Sequence, residues 1–156
     1  MTGRGSTPPR VVLHPHRPRG IHGELLRLEQ DGEIELVVAE DSDGVAAALA
    51  DGASILASFR WEERYLQPSL RWIASISAGF EQYPLAELER AGVALTTASG
   101  VNAIAVAEHA MTLLLGCVRR LDAAVESQMH RRWELHGPRL ELHGSTMVVA
   151  GMGAIG

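Results

Sequence analysis

The chain has no lysine. All 14 of its Lys+Arg residues are arginine, which excludes a Schiff-base lysine, a P-loop lysine and a lysine general base together. It has a single cysteine, Cys117, set in an apolar run, so no internal disulfide forms and a reducing compartment, the cytoplasm, is expected. No apolar stretch reaches the ~20 residues that cross a bilayer, and no membrane partner is expected. A phosphate-binding face needs clustered positive charge, and the formal net charge here is −5. Nucleic acid therefore has no footprint to bind. What remains is a chain of 156 residues, 46% hydrophobic, the length of one ordinary domain with enough apolar content for a core. Arg4, Arg10, Arg17 and Arg19 precede the first acid, Glu24. The opening residues read as a short floppy tail before a first strand, with a transit peptide as the alternative.

The first hundred residues alternate short β-like runs with helical stretches. Strands are expected over 10–14, 34–39, 53–58, 72–77 and 93–97, and helices over 23–30, 45–50, 62–66 and 85–90. Ile55-Leu56-Ala57 and Ile73-Ala74-Ser75-Ile76 are apolar or small on both faces, as in strands covered by helices on both sides. A parallel α/β sheet follows. Pro84 is expected in the first turn of its helix and Gly92 at its end. From Asn102, a suitable N-cap, to Val118 runs a helix of about 17 residues, roughly 25 Å long at 1.5 Å per residue. It is apolar around nearly the whole cylinder, so it is expected to be buried in a large core or at a subunit interface. A polar helix, 121–132, follows, and then an apolar strand, Ser145–Ala150, that runs into glycines.

Three constellations carry chemistry. Gly151, Gly153 and Gly156 spell G-x-G-x-x-G directly after the expected strand. In a dinucleotide loop the first glycine makes the tight turn, the second admits the pyrophosphate and the third lets the next helix pack closely. Alone, the pattern equally suits a glycine-rich turn. Ser75-Ile76-Ser77-Ala78-Gly79-Phe80-Glu81 opens from a strand end into small residues whose backbone N–H groups can face an anion. The plainer reading is an ordinary strand-to-helix turn. Third, Ser99 to His109 launches the apolar helix, and Glu108-His109 lacks the spacing of a metal site, as do the other histidines. Arg60, just past the third strand, is a second candidate contact for an acid or else a solvated arginine.

In this order and spacing the three segments resemble the D-isomer-specific 2-hydroxyacid dehydrogenases. That family has a glycine loop ending in an acid, here Ser77–Glu81, then a stretch like Ala98–His109. A Trp-bearing segment, here Trp133, leads to a Leu-x-Gly-x-Thr strand before the dinucleotide loop, here Leu142–Thr146. The likeness is good over 53–156 and rests on strand order alone before that.

The resemblance implies a flavodoxin-like parallel-sheet substrate domain over 1–99. The first helices and first strand of an incomplete Rossmann domain, the start of the NAD(P)-binding domain, follow over 100–156. It implies that backbone amides of Ala78 and Gly79 hold the substrate carboxylate and that Ala78 also lies near the nicotinamide. The pyrophosphate meets Gly151, Gly153, Ala154, Ile155 and Gly156. Helix 102–118 is then the interface of a homodimer, the cofactor is NAD or NADP, and the substrate is a small 2-keto or 2-hydroxy acid. Glu81 stands where aspartate is common and Ala78 where a larger residue often sits, so substrate identity is unreadable. The family's catalytic arginine, histidine and carboxylate lie after the dinucleotide loop, so no catalytic residue is named. The chain reads as a front part cut off inside that loop, inactive alone and without detectable NAD(P) binding. The alternatives are a non-catalytic fragment that dimerises with full-length relatives and a small flavodoxin-like binding module.

Overall fold

A computed structural model of the chain describes residues 7–14, 19–134, 137–138 and 140–156, with the backbone alone for 19–22. The opening tail expected from the sequence lies mostly outside the described residues. The chain divides into two compact units, Met1–Ser99 and Gly100–Gly156.

The first unit is built on five strands: β1 (Arg10–His14), β2 (Glu35–Val38), β3 (Ile55–Ser58), β4 (Trp72–Ser75) and β5 (Ala94–Thr96). All four pairings are parallel, in the order β2-β1-β3-β4-β5. This is the flavodoxin-like order, with the direction of winding reversing between β1 and β3. The register aligns Val12, Leu56, Ile73 and Leu95 in one row across the sheet. That row faces α2 (Ser42–Ala50) and α3 (Leu85–Ala91), whose Val45, Leu49 and Leu88, together with Tyr65 from the segment after β3, complete the larger core. Val11, Leu13 and Ala57 point to the opposite face, against Leu25 of α1 (Arg19–Gln30). The two-sided apolar strands are thus buried on both faces, as their composition dictates.

Element boundaries differ from the expectations where local chemistry outweighs pattern. Helix α2 starts at Ser42, three residues earlier than its apolar periodicity, because the Asp41 carboxylate accepts the Gly44 N–H at 2.8 Å. Helix α1 takes in Gly20 and Gly23 despite their poor propensity and starts at Arg19 rather than residue 23. The expected helix over 62–66 is one 3-10 turn, Glu63–Tyr65. The Leu66 N–H bonds to the Glu63 carbonyl three residues back, and Pro68 follows too soon for a longer helix. Pro84 sits one position ahead of the first turn of α3, its carbonyl accepting from Glu87 and Leu88. Gly92 closes α3 in the left-handed region, φ 67°.

The second unit holds α4 (Ala103–Arg119) and α5 (Leu121–Met129), separated by Arg120 at φ 54°, ψ 49°. Asn102 occupies the N-cap position, but its side chain makes no cap hydrogen bond. Helix α5 ends three residues short of Arg132, and Arg131 turns into positive φ at 53°. No residue of α4 is buried, so the all-round burial expected of it is not met within this chain. The strand expected over Ser145–Ala150 does not form. A strand exists through its ladder, and among the described residues of 100–156 no other strand is available to pair with it. Met147, Val148 and Val149 are exposed in consequence.

Candidate functional site

The carboxyl ends of the central strands carry polar residues in a hydrophobic sheet. Ser58 ends β3 and Ser75 ends β4; the two are register partners and both are buried. A buried hydroxyl must find partners, and each finds them two residues ahead. Ser58 Oγ accepts the Arg60 N–H at 3.0 Å and donates to the Arg60 carbonyl at 2.9 Å. Ser75 Oγ accepts the Ser77 N–H at 3.2 Å. These local bonds compete with the ladder and end both strands, which is why β4 stops at Ser75 instead of running to Ser77. His14, ending β1, is spent differently: its Nδ1 lies 3.0 Å from the Ala39 carbonyl.

The turn continues one step after β4. Ser77 Oγ accepts the Gly79 N–H at 3.2 Å, and the Ser77 carbonyl accepts from Ala98 at 2.9 Å. Of the two amides expected to face an anion, that of Ala78 has no partner among the described residues, whereas that of Gly79 is engaged by Ser77. Ala78 is exposed. Gly79 is not in the left-handed region; a Cβ added there would meet the Glu81 carboxylate, the mobile end of a side chain. Space rather than backbone conformation is what glycine provides at this position.

Beside this turn lies a cleft of about 400 Å³ lined by Phe59, Arg60, Trp61, Glu62, Ser77 and Gln82. Its volume falls within the range of small-molecule sites, and it lies outside the carboxyl ends of the strands, where open α/β sheets bind ligands. Trp61 is wedged edge-on against Tyr65, ring centroids 6.0 Å apart, and tilted against Tyr83 at 5.8 Å. The Ser42 hydroxyl donates to the Glu62 carboxylate, and Arg64 Nε donates to it at 2.7 Å. These two contacts, Ser42 first, hold the Glu62 carboxyl below the usual carboxylate range. Arg64 reaches on to Asp43 at 2.7 Å, so the loop after β3 is tied to the first turn of α2. Sequence reasoning reached Ser77 and raised Arg60. It missed Phe59, Trp61, Glu62 and Gln82, whose only signal was their position just past a strand end.

The glycine segment of the second unit contains a tight closure. Gly151 adopts φ 111°, a conformation that side chains rarely take. A Cβ on Gly156 would collide with the Gly151 carbonyl. Gly151 and Gly156 thus come together, while Gly153 has open space around it. This glycine cradle suits a pyrophosphate in kind. Ala154 and Ile155 lie exposed between them, and residues 151–156 form no helix. Among the described residues no three His, Cys, Asp or Glu side chains gather as a metal site, and no helix is long and apolar enough to cross a membrane.

Glyoxylate/hydroxypyruvate reductase B of Yersinia pestis is 26% identical to this chain over 155 residues, 95% of this chain and 48% of the relative. Among solved structures, the NADPH-dependent glyoxylate/hydroxypyruvate reductase of Sinorhizobium meliloti is similar at 26% identity. Its complex with citrate gives a TM-score of 0.65 over 80% of this chain and 40% of its own. Its complex with NADP and malonate gives 0.63 over 80% and 39%. D-Lactate dehydrogenase of Aquifex aeolicus, complexed with NAD and lactic acid, gives 0.70 over 86% and 42% at 19% identity, a likeness of fold alone. The chain spans about half the length of the curated relatives it matches. Residues 20–151, most of the chain, match the model of the D-isomer specific 2-hydroxyacid dehydrogenase catalytic domain, and the chain belongs to that family.

Proposed function

We propose that this chain forms the substrate side and the beginning of the cofactor side of an oxidoreductase that passes a hydride between NAD(P) and a small 2-hydroxy or 2-oxo acid. The observation that supports the reading is the Ser75–Gly79 turn, which leaves the Ala78 amide without a partner next to Ser77, a lining residue of a ligand-sized cleft. Residues 1–99 act as the substrate domain. The acid's carboxylate accepts from the Ala78 N–H and displaces the Ser77 hydroxyl from the Gly79 N–H. Two backbone amides aimed at one carboxylate fix its orientation without a mobile side chain. Residues 100–156 begin the cofactor domain, where Gly151, Gly153, Ala154, Ile155 and Gly156 line the pyrophosphate and Ala78 borders the nicotinamide. Bound NAD(P)H supplies the hydride, which adds with a proton to the 2-oxo carbon and oxygen and leaves the 2-hydroxy acid.

The arginine, histidine and carboxylate that such chemistry uses are not assigned to any of residues 1–156, and these residues alone are inactive in this reading. The partners are small acids, with neither nucleic acid nor membrane, and the free, exposed Cys117 suits the reducing cytoplasm. The exposed apolar side chains of α4, among them Val106, Met111, Leu113 and Leu115, favour a homodimer formed through that helix. The same surface also serves the second reading, a non-catalytic chain that pairs with full-length relatives.

Replacing the matching segment of the Sinorhizobium meliloti reductase with residues 1–156 tests the main reading. The chimera should oxidise NADPH with glyoxylate or hydroxypyruvate. In it Gly79→Val should raise the KM for the 2-oxo acid about tenfold or more while the KM for NADPH stays unchanged. A folded chimera whose KM for the acid ignores Gly79→Val places the substrate elsewhere.

A further inference from the structure

The cleft has a positive charge that the fold itself does not use. Arg10, Arg27 and Arg64 are ion-paired, and Arg71 and Arg90 donate to backbone carbonyls. Among the described arginine side chains of the first unit, only the Arg60 guanidinium has neither a hydrogen bond nor an ion pair. Glu62, the one acid lining the cleft, does not neutralise it, because its carboxylate is taken by Ser42 and Arg64. Arg60 is nevertheless held in place. Its N–H and C=O both bond to the hydroxyl of Ser58, which is fully buried, so the backbone below the guanidinium is anchored in the sheet.

The arrangement repeats on the neighbouring strand. Ser58 and Ser75 are register partners, and each turns the chain so that the residue two positions on, Arg60 or Ser77, lines the same cleft. The β4 turn leads directly to the open Ala78 amide. Two parallel strand ends therefore present, side by side, a backbone amide without a partner and an unpaired cation. We infer that the cleft reads a second anionic group: the substrate is a 2-hydroxy or 2-oxo acid whose far end carries a carboxylate or phosphate, and Arg60 binds that end. The inference rests on the carboxylate site proposed at Ala78 and Gly79 and adds the substrate class. Phe59 and Trp61 supply the apolar wall along which the carbon chain lies, and Gln82 adds a neutral polar group at the rim.

The test uses the 156-residue chain and three ligands sharing a 2-hydroxyacid head: D-lactate, D-malate and 3-phospho-D-glycerate. Binding is followed by backbone amide NMR and calorimetry. D-Malate or 3-phospho-D-glycerate should bind about tenfold more tightly than D-lactate, the gain of one hydrogen bond between ionised partners. All three should shift the Ala78 amide. Arg60→Gln, at an exposed position, should erase the advantage of the two larger ligands over D-lactate, Arg60→Lys should keep part of it, and raised salt should shrink it. Which of the two doubly anionic ligands gains more tells a carboxylate reader from a phosphate reader. Equal affinity for all three, with the Ala78 shift intact, overturns the role of Arg60 and spares the carboxylate site. An advantage that survives Arg60→Gln does the same. No binding of any ligand overturns both.

Discussion

The two units of this chain are equally apolar to the eye and differ in what they do with it. In Met1–Ser99 the apolar residues meet across a sheet: Val12, Leu56 and Ile73 form a fully buried row with helices packed over it. In Gly100–Gly156 only Ala123 and Ser127 among the described residues are buried, although α4 is the longest of the described helices and largely apolar. A sheet lets residues far apart in sequence cover one another, whereas two consecutive helices and an unpaired strand segment cannot. Apolar sequence records a demand for burial, and topology decides whether the chain itself meets it.

The sharpest way to break this contrast is a matched pair of truncations. Leu56→Ala should cost about 2–5 kcal/mol of stability because it opens a cavity in a closed core. Leu113→Ala, on an exposed face, should stay within about 0.5 kcal/mol in the monomer. Urea denaturation of both variants decides it, and equal costs would mean that α4 is packed after all. If the helix is instead covered by a second copy, Leu113→Glu should weaken self-association by about a hundredfold, as the loss of a central interface anchor does. Sedimentation velocity at rising concentration reads this directly; a monomeric wild type would remove the homodimer.

Smaller effects sharpen the picture of the first unit. Asp41→Ala removes the cap that starts α2 and should cost about 0.5–2 kcal/mol by thermal melting. A smaller change still is expected with pH. The Glu62 carboxyl is held low by Ser42 and then Arg64. Its tie to α2 is therefore complete above the ordinary carboxylate range, and is lost as pH falls through its lowered value. The Trp61 indole N–H signal should report a loosening loop in acid, and Glu62→Gln should abolish that pH dependence while leaving the fold intact.

Much of the first unit was legible because its signals are local. Two-sided apolar runs at Ile55–Ala57 and Ile73–Ile76 have the pattern of buried parallel strands, and Gly92 marks a helix end by conformational freedom alone. Boundaries failed where a side chain competed with the pattern. Asp41-Ser42-Asp43-Gly44 has the composition of a turn yet is the capped start of α2, and Ser75 ends β4 by taking the Ser77 N–H. The strand expected at Ser145–Ala150 has the right residues and no neighbour, and no sequence window contains its neighbour. The candidate site was half legible for the same reason. Ser77–Gly79 advertise themselves as small residues after a strand, but that Arg60 lines the same cleft depends on β3 and β4 being paired.

If the turn after β4 is a carboxylate site, its amides must respond to a small acid. Titrating the 15N-labelled chain with oxamate, a small 2-oxo acid analogue, tests it most directly. Shifts concentrated at the amides of Ser77, Ala78, Gly79 and Phe80, saturating with one site, are the predicted result. A chain whose amides there stay still, or which responds instead in the separate hollow around Leu66, Leu70 and Arg71, would contradict it.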